Sequence, residues 1–362
     1  MTIDIPTTPA DVTAQWVTAV LTSTGTVDAD TVIDSVTVTD IGEGTGIFGQ
    51  IARLDLGYGA GSGPERVVVK LACTEPANLE VAFALGIYRR EVAFFEHIGP
   101  HSPMRTPVCH FAHMGDDGRF VIVMEDLSSS YDVGDQVVGI TPDEADLVVE
   151  ELAALHATWW MHPDLEAHDW LPVADAPQYL AAVPGIYRAG MPVLEAEWAD
   201  RLPAEAIEIA RRIEPIFEDV LVATAAPPWT FTHGDTRLDN VFFAHDGGRP
   251  ALIDFQLSLR ARGVADIAYM IATSMNTDDA RLHWERILRK WHDGLVAHGI
   301  TDYPWEEALR GYRESALYYL CGAMSLIGSF DTGNERGAAM AEAYTTRCFN
   351  HVVDIDAAQV LD

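Results

Sequence analysis

Lysine is almost absent from this chain of 362 residues, and acidic side chains dominate its charge. The two lysines are Lys70 and Lys290, and 55 acidic residues against 23 basic ones give a net charge of −32. Such a surface repels phosphate backbones, so we expect no binding of nucleic acid. The acidic residues are dispersed rather than grouped in blocks. This favours a solvated acidic surface, and attraction of a cationic substrate is the alternative.

The chain is also poor in cysteine and in long apolar runs. Its four cysteines are widely spaced and form no Cys-x-x-Cys pair, which indicates a reducing compartment without a disulfide framework. The first residues show neither the basic nor the apolar stretch of a secretory signal. The longest uncharged run, residues 315–330, is shorter than the roughly 20 residues that cross a bilayer. We expect a cytoplasmic protein that does not bind membranes.

The most informative segment runs from His233 to Asn240 and reads His-Gly-Asp-Thr-Arg-Leu-Asp-Asn. Asp254 follows in Leu-Ile-Asp-Phe-Gln, fourteen positions after Asn240. Residues 241–243 and 251–253 read as two short strands, and a glycine-rich turn joins them. A hairpin of these strands brings its outer ends together. The sequence therefore predicts that Asn240 lies beside Asp254.

This arrangement has the groups that phosphoryl transfer requires. Asn240 and Asp254 both offer oxygen, which suits a hard cation such as magnesium that keeps several waters. Asp235 is then the candidate base that takes the proton of an attacking hydroxyl. The alternative is a hairpin with ordinary polar ends, and the number of motif positions in register disfavours it.

Lys70 lies inside the apolar strand of residues 66–72, where an unpaired ammonium would be costly. A helix is predicted over residues 79–98. One face of that helix carries Ala84, Tyr88, Glu91 and Phe95. Glu91 is thus an acid on an otherwise apolar stripe. We predict an ion pair between Lys70 and Glu91, and the alternative is that Glu91 is solvated at the edge of the stripe.

Residues 41–50 form a glycine-rich segment with strand-like flanks. Gly42, Gly44 and Gly46 are the candidates for a backbone turn that covers phosphate groups. No Gly-Lys-Ser/Thr follows, so this is not a Walker loop. A glycine-rich hairpin turn is the alternative.

Taken together, these motifs resemble those of the protein-kinase-like superfamily, and they occur in the order of that family. The His-Gly-Asp opening, and Asp254-Phe255-Gln256 in place of Asp-Phe-Gly, are similar to its small-molecule branch. That branch contains the aminoglycoside phosphotransferases, the choline kinases and the ecdysteroid kinase-like proteins. The chain has no Ala-Pro-Glu segment, which disfavours a protein substrate and an activation loop.

The resemblance implies an α+β, bilobal, protein-kinase-like fold. Residues 1–126 would form an N-lobe with an antiparallel sheet and one main helix. Residues 127–362 would form a larger, mostly helical C-lobe with the catalytic hairpin and the acceptor-binding helices.

The resemblance also implies ATP and Mg²⁺ as cofactors, with the metal on Asn240 and Asp254. Lys70, fixed by Glu91, would bind the α- and β-phosphates. The backbone at Glu125 and Leu127, in a hinge that begins at Met124, would face the adenine. Two further side chains are expected to have structural roles and no part in the reaction. Asp266 would cap its helix or brace the catalytic loop, and His156 would be a packed histidine.

The implied function is ATP-dependent phosphorylation of a hydroxyl group on a small molecule. The aromatic content of residues 160–228 favours an acceptor with a sizeable apolar body. A polycationic acceptor such as an aminoglycoside is the rival, favoured by the charge of −32. A nucleotide-binding pseudokinase that acts as a binding module is a further alternative. The presence of Lys70, Asp235, Asn240 and Asp254 disfavours it.

Overall fold

The computed structural model of the chain describes residues 3–41, 48–328 and 335–361. The chain divides into two compact units. The first contains Met1–His101 and Thr106–Ser130, and the second contains Ser102–Arg105 and Tyr131–Asp362. The predicted phosphate-covering glycines Gly42, Gly44 and Gly46 lie outside the described residues.

The first unit is built on a five-stranded antiparallel sheet with the strand order β1-β2-β3-β5-β4. Its strands are β1 (Val32–Asp40), β2 (Gly49–Ala60), β3 (Arg66–Ala72), β4 (Cys109–Met114) and β5 (Phe120–Glu125). Its helices are α1 (Ala14–Ser23), α2 (Pro76–Leu85) and α3 (Ile87–Ala93), the last followed by a π-type turn at Phe94–Ile98.

Alternation along β3 divides the core of this unit into two layers. Val67, Val69 and Leu71 pack in one cluster with residues of α1. Val68 and Ala72 pack in a second cluster with residues of α2 and α3. Because successive side chains of a strand point to opposite faces, Lys70 lies on the face that α3 covers.

The helix predicted over residues 79–98 is two helices, so that prediction was wrong. Gly86 adopts a φ of +66°, ends α2 and separates it from α3. A left-handed residue of this kind is a common helix terminator. Ala84 belongs to α2 and is exposed, whereas Tyr88 and Glu91 lie on α3 and are buried. Ala84 therefore does not share their face.

The second unit is mostly helical. Its helices are α4 (Pro142–Thr158), α5 (Asp164–Ala167), α6 (Pro177–Val193), α7 (Ala204–Ile213), α8 (Phe217–Thr224), α9 (Val264–Ser274), α10 (Thr277–Ala297), α11 (Trp305–Gly328) and α12 (Glu335–Asp354). The long helix α11 packs against α6, α8, α9 and α12. None of the described helices has the length and hydropathy of a bilayer-spanning segment.

Two small sheets complete the second unit. One contains β6 (Tyr131–Val133), β8 (Val241–Ala244) and β9 (Ala251–Leu252), in that order, and the other pairs β7 (Thr230–Thr232) with β10 (Leu259–Ala261). β8 and β9 are the predicted hairpin, and they pair antiparallel with Val241 opposite Leu252. The predicted α+β class, with an antiparallel N-terminal sheet and a larger helical part, is confirmed.

A buried tyrosine–histidine pair joins α11 to α12. The Tyr312 hydroxyl lies 2.6 Å from Nε2 of His351, and both side chains are buried. Burial lowers the pKa of His351 from its ordinary value of 6.5 to about 3. The imidazole is therefore neutral in the folded chain at pH values where the unfolded chain protonates it.

We expect this histidine to make the fold sensitive to acid. The unfolded state binds the additional proton as the pH falls below the ordinary pKa, so stability decreases from there down to the lowered pKa. The loss should reach about 2 kcal/mol near pH 5. Denaturant unfolding of the wild type and of His351→Gln, each at neutral pH and near pH 5, measures it. Equal acid sensitivity in the two chains would show that His351 is not responsible.

Candidate active site

The hairpin of β8 and β9 brings two oxygen-bearing side chains to one end. Asn240 immediately precedes β8, and its carbonyl accepts a hydrogen bond from the N–H of Ile253 at 3.0 Å. Asp254 follows Ile253 directly. Its φ of +67° is unusual for a residue other than glycine. Strained backbone of this kind costs about 1–3 kcal/mol and is concentrated at functional positions.

Asp235 is held by side chains on both of its carboxylate oxygens. The Tyr269 hydroxyl donates to Oδ1 at 2.8 Å. The Asn240 amide donates to Oδ2 at 3.0 Å and to the Asp235 carbonyl at 2.9 Å. Nε of Arg237 lies 3.6 Å from the same Oδ2. The carboxylate is therefore fixed in orientation before any substrate is bound.

These contacts also settle the orientation of the Asn240 amide. The peptide carbonyl and the carboxylate of Asp235 are both acceptors, so the nitrogen of the amide must face them. The amide oxygen of Asn240 is thereby directed away from Asp235. An amide oxygen and a carboxylate such as that of Asp254 are the types of oxygen donor that Mg²⁺ uses alongside water and phosphate. The residues present fit this metal.

Asp266 braces the first turn of the loop. Its carboxylate accepts hydrogen bonds from the backbone N–H groups of His233 at 2.7 Å and Gly234 at 2.9 Å. Its carbonyl accepts from the Thr236 hydroxyl at 2.9 Å. Gly263, not Asp266, is the cap residue of α9. Of the two roles expected for Asp266, bracing the catalytic loop is the one observed.

His156 supports Asp266 from α4. Its Nε2 lies 3.1 Å from Oδ2 of Asp266, and its Nδ1 lies 3.0 Å from Nε1 of Trp291. Because an indole only donates, Nδ1 accepts and Nε2 carries the proton given to Asp266. Burial opposes ionisation of Asp266, but interactions with His156, His233 and Gly234 outweigh it and hold the pKa of Asp266 below the ordinary range. His156 is thus the packed histidine expected from the sequence.

Sequence reasoning missed Tyr269, although its spacing contained a signal. It lies three residues after Asp266 on α9, so the two side chains share a helix face. A second missed residue, the buried Gln136, accepts from the Leu238 N–H at 2.8 Å and donates to the Thr273 carbonyl at 2.9 Å. The carbonyl of Gln136 in turn accepts from Arg347 of α12 at 2.6 Å. No sequence pattern indicates these three contacts of Gln136.

The first unit contains the predicted ion pair. Nζ of Lys70 lies 2.7 Å from Oε1 of Glu91, and the two side chains are 4% and 2% exposed. The alternative of a solvated Glu91 is therefore wrong. The pair joins β3 to α3. It lies on the face of the sheet that α3 covers, as the alternation of side chains along β3 predicts.

The predicted hinge lies at the end of β5 in the same unit. Met124 and Leu127 are buried. The N–H of Glu125 donates to the Val108 carbonyl at 2.9 Å. Asp126 caps the short 3-10 turn that begins at Leu127 by accepting from the Ser128 N–H at 3.0 Å. That the backbone at Glu125 and Leu127 faces a nucleotide base stays a prediction.

Solved structures of small-molecule kinases share this fold. Ethanolamine kinase of Plasmodium vivax is 12% identical, with a TM-score of 0.52, over 92% of this chain and 87% of its own. The GDP and kanamycin complex of APH(2")-IIIa is also 12% identical with a TM-score of 0.52, over 94% of this chain and 98% of its own. These structural similarities show that the chain has a protein-kinase-like fold.

Comparison with family models gives the more specific assignment. The model of the ecdysteroid kinase-like family matches residues 44–168 and 181–300. These segments make up more than half of the sequence, and the chain belongs to the ecdysteroid kinase-like family. No curated protein sequence matches it significantly.

Proposed function

We propose that this protein transfers the γ-phosphoryl group of ATP to a hydroxyl group of a small molecule. The observation that carries the proposal is the grouping of Asp235, Asn240 and Asp254 around one braced loop. Membership of the ecdysteroid kinase-like family supports it. The GDP bound by the structural neighbour APH(2")-IIIa supports the use of a nucleotide.

Asp235 would orient the acceptor hydroxyl and take its proton. A carboxylate offers about four lone-pair positions. The hydrogen bonds from Tyr269 and Asn240 use two of them. The remaining positions can accept the hydroxyl of a substrate while these two bonds keep the group in place. Catalysis would come mainly from this positioning and from electrostatic stabilisation.

Membership of the ecdysteroid kinase-like family also supports roles in holding the nucleotide and the metal. Asn240 and Asp254 would hold Mg²⁺, which when bound neutralises charge on the β- and γ-phosphates. Lys70, fixed by Glu91, would bind the α- and β-phosphates. The glycine segment with Gly42, Gly44 and Gly46 would cover the phosphates, and the backbone of the hinge, Met124 to Leu127, would receive the base.

The proposed acceptor has a sizeable apolar body. Trp170, Tyr187 and Trp198, which suggested this from the sequence, are buried and belong to the core. Tyr269 instead contacts Asp235 directly, and its ring lies 4.8 Å from that of Tyr319 in an edge-to-face contact. These rings, from α9 and α11, support an apolar surface beside the base.

The acceptor class can be tested with a panel of hydroxylated compounds and Mg-ATP, followed by a salt series on each substrate found. Burial of an apolar body should hold or strengthen in sulfate. Capture of a polycation should weaken steeply, because the Debye length falls from about 10 Å at 0.1 M to 3 Å at 1 M. Efficient phosphorylation of aminoglycosides with a steep salt penalty, and none of lipophilic alcohols, would contradict the proposed acceptor and leave the proposed kinase activity in place.

Tyr269→Phe should lower kcat by about tenfold with little change in the KM for ATP. The substitution removes one hydrogen bond to a charged group, worth about 1.5–3 kcal/mol, and keeps the ring. The control is Tyr319→Phe, which alters a neighbouring hydroxyl of the same ring contact. Equal losses in the two variants would show that the hydrogen bond to Asp235 has no special role.

A further inference from the structure

A single arginine lies beside the proposed base. Nε of Arg237 is 3.6 Å from Oδ2 of Asp235, and the arginine side chain is 26% exposed. The charge of Asp235 raises the pKa of Arg237 further above its ordinary value. The guanidinium is therefore a permanent positive charge at this position.

Few of the N–H groups of Arg237 donate hydrogen bonds to the described residues of the protein. A guanidinium has five N–H donors. Within the described part of the chain, Nη1 of Arg237 donates to the sulfur of Met340 at 3.9 Å. Nε is buried and has no hydrogen-bond partner there. The group is thus able to donate to an oxygen of an incoming molecule.

The position of Arg237 relative to Asp235 ties it to the acceptor. A hydroxyl that gives its proton to Asp235 must approach one of the carboxylate oxygens to about 2.6–3.2 Å. The atoms next to that hydroxyl then lie within a few ångströms of the guanidinium. Arg237 also offsets the attraction that Asp235 would otherwise exert on a cation.

This local charge opposes the charge of the whole chain. The net charge of −32 attracts cations over long distances, but salt screens such attraction beyond about 8 Å at physiological ionic strength. At contact distance the nearest fixed charges decide which group is accepted. The carboxylates that act on Arg237 are Asp235 first, and then Asp239 and Asp254. Arg336 pairs with Asp239, and Asp254 is a proposed metal ligand. The charges left beside the acceptor hydroxyl are those of Asp235 and Arg237, which sum to zero.

We propose that Arg237 is a specificity-determining residue that rejects acceptors with a cationic group next to the reacting hydroxyl. It favours acceptors with an uncharged or anionic oxygen at that position, to which its unused donors can bind. This inference rests on the proposed function and specifies the charge class of its substrate. A different role, contact with the transferred phosphoryl group alone, would affect all acceptors equally.

The test compares alcohols of one skeleton that carry an ammonium, an amide or a carboxylate group beside the hydroxyl. The full chain is assayed with Mg-ATP, and kcat/KM is measured for each alcohol. The wild type should prefer the amide and the carboxylate to the ammonium compound. In Arg237→Gln, the preference for carboxylate over ammonium should fall by at least about tenfold.

Two further variants separate charge from other effects of the substitution. Arg237→Lys keeps the positive charge and should keep the wild-type order of acceptors, even if its turnover is lower. Arg336→Gln removes an exposed arginine that pairs with Asp239 of the same loop, 3.2 Å away, and should also keep that order.

An unchanged ratio of kcat/KM between the carboxylate and ammonium compounds in Arg237→Gln, with or without a general loss of kcat, would overturn the inference and leave the proposed function standing. The same holds for a wild type that prefers the ammonium compound. If the wild type transfers phosphate to no alcohol at all, the proposed function fails, and the inference fails with it.

Discussion

Replacing Asp235 with asparagine should lower turnover by about 10²–10⁴-fold, the range that a general base contributes. The asparagine occupies the same space. Its amide oxygen can accept from the Asn240 amide and its nitrogen can donate to the Tyr269 hydroxyl, so the loop should keep its shape. Binding of Mg-nucleotide should remain nearly intact, because the proposed metal ligands are Asn240 and Asp254. Turnover with a validated acceptor and nucleotide affinity by calorimetry measure the two effects.

Two other variants define what this result means. Asp254→Ala should impair productive binding of Mg-ATP, in contrast to Asp235→Asn. Asp239→Asn alters an acid of the same loop whose Oδ1 accepts from the Gln136 N–H at 3.3 Å, and it should retain turnover within a few-fold. Substantial turnover by Asp235→Asn would remove Asp235 from the role of base.

Replacing Lys70 with methionine should destabilise the chain by about 3–5 kcal/mol. The substitution removes the ammonium of the buried Lys70–Glu91 ion pair and leaves the Glu91 carboxylate buried on α3, and losing one member of a buried pair is costly. The same substitution should abolish productive ATP binding if Lys70 holds the phosphates. Denaturant unfolding measures the first effect, and nucleotide titration measures the second.

The double variant Lys70→Met with Glu91→Leu separates the structural role from the proposed functional one. Replacing both members of a buried ion pair by apolar residues is often neutral or stabilising. The double variant should therefore recover most of the lost stability and none of the activity. Near-normal turnover in the double variant would exclude Lys70 from phosphate binding. A single variant as stable as the wild type would show that the pair carries little of the stability.

Features set by short-range patterns could be predicted from the sequence. The hairpin that brings Asn240 to Asp254 follows from two strands and a turn. The Lys70–Glu91 pair follows from a lysine in an apolar strand and an acid on an apolar helix stripe. The same apolar periodicity predicts one helix where the structure has two. The periodicity continues through Gly86, but the helical backbone conformation is interrupted there.

Contacts between distant parts of the chain could not be predicted in this way. Gln136 binds the Leu238 N–H, and Arg347 binds the Gln136 carbonyl. Each contact depends on how α12 and the loop before α4 pack, and neither residue belongs to a local pattern. Tyr269 is intermediate, because its spacing from Asp266 was visible but its hydrogen bond to Asp235 was not.

The central claim is the transfer of phosphate from ATP to a hydroxyl, with Asp235 as the base. Its most direct test is incubation of the full chain with Mg-ATP labelled in the γ-phosphate and a panel of hydroxylated compounds, beside Asp235→Asn under the same conditions. We predict a labelled acceptor with the wild type and an initial rate of labelling at least about 10²-fold lower with the variant. Nucleotide binding by the wild type without transfer to any acceptor, as a binding module would show, would contradict the claim, as would equal labelling by the two chains.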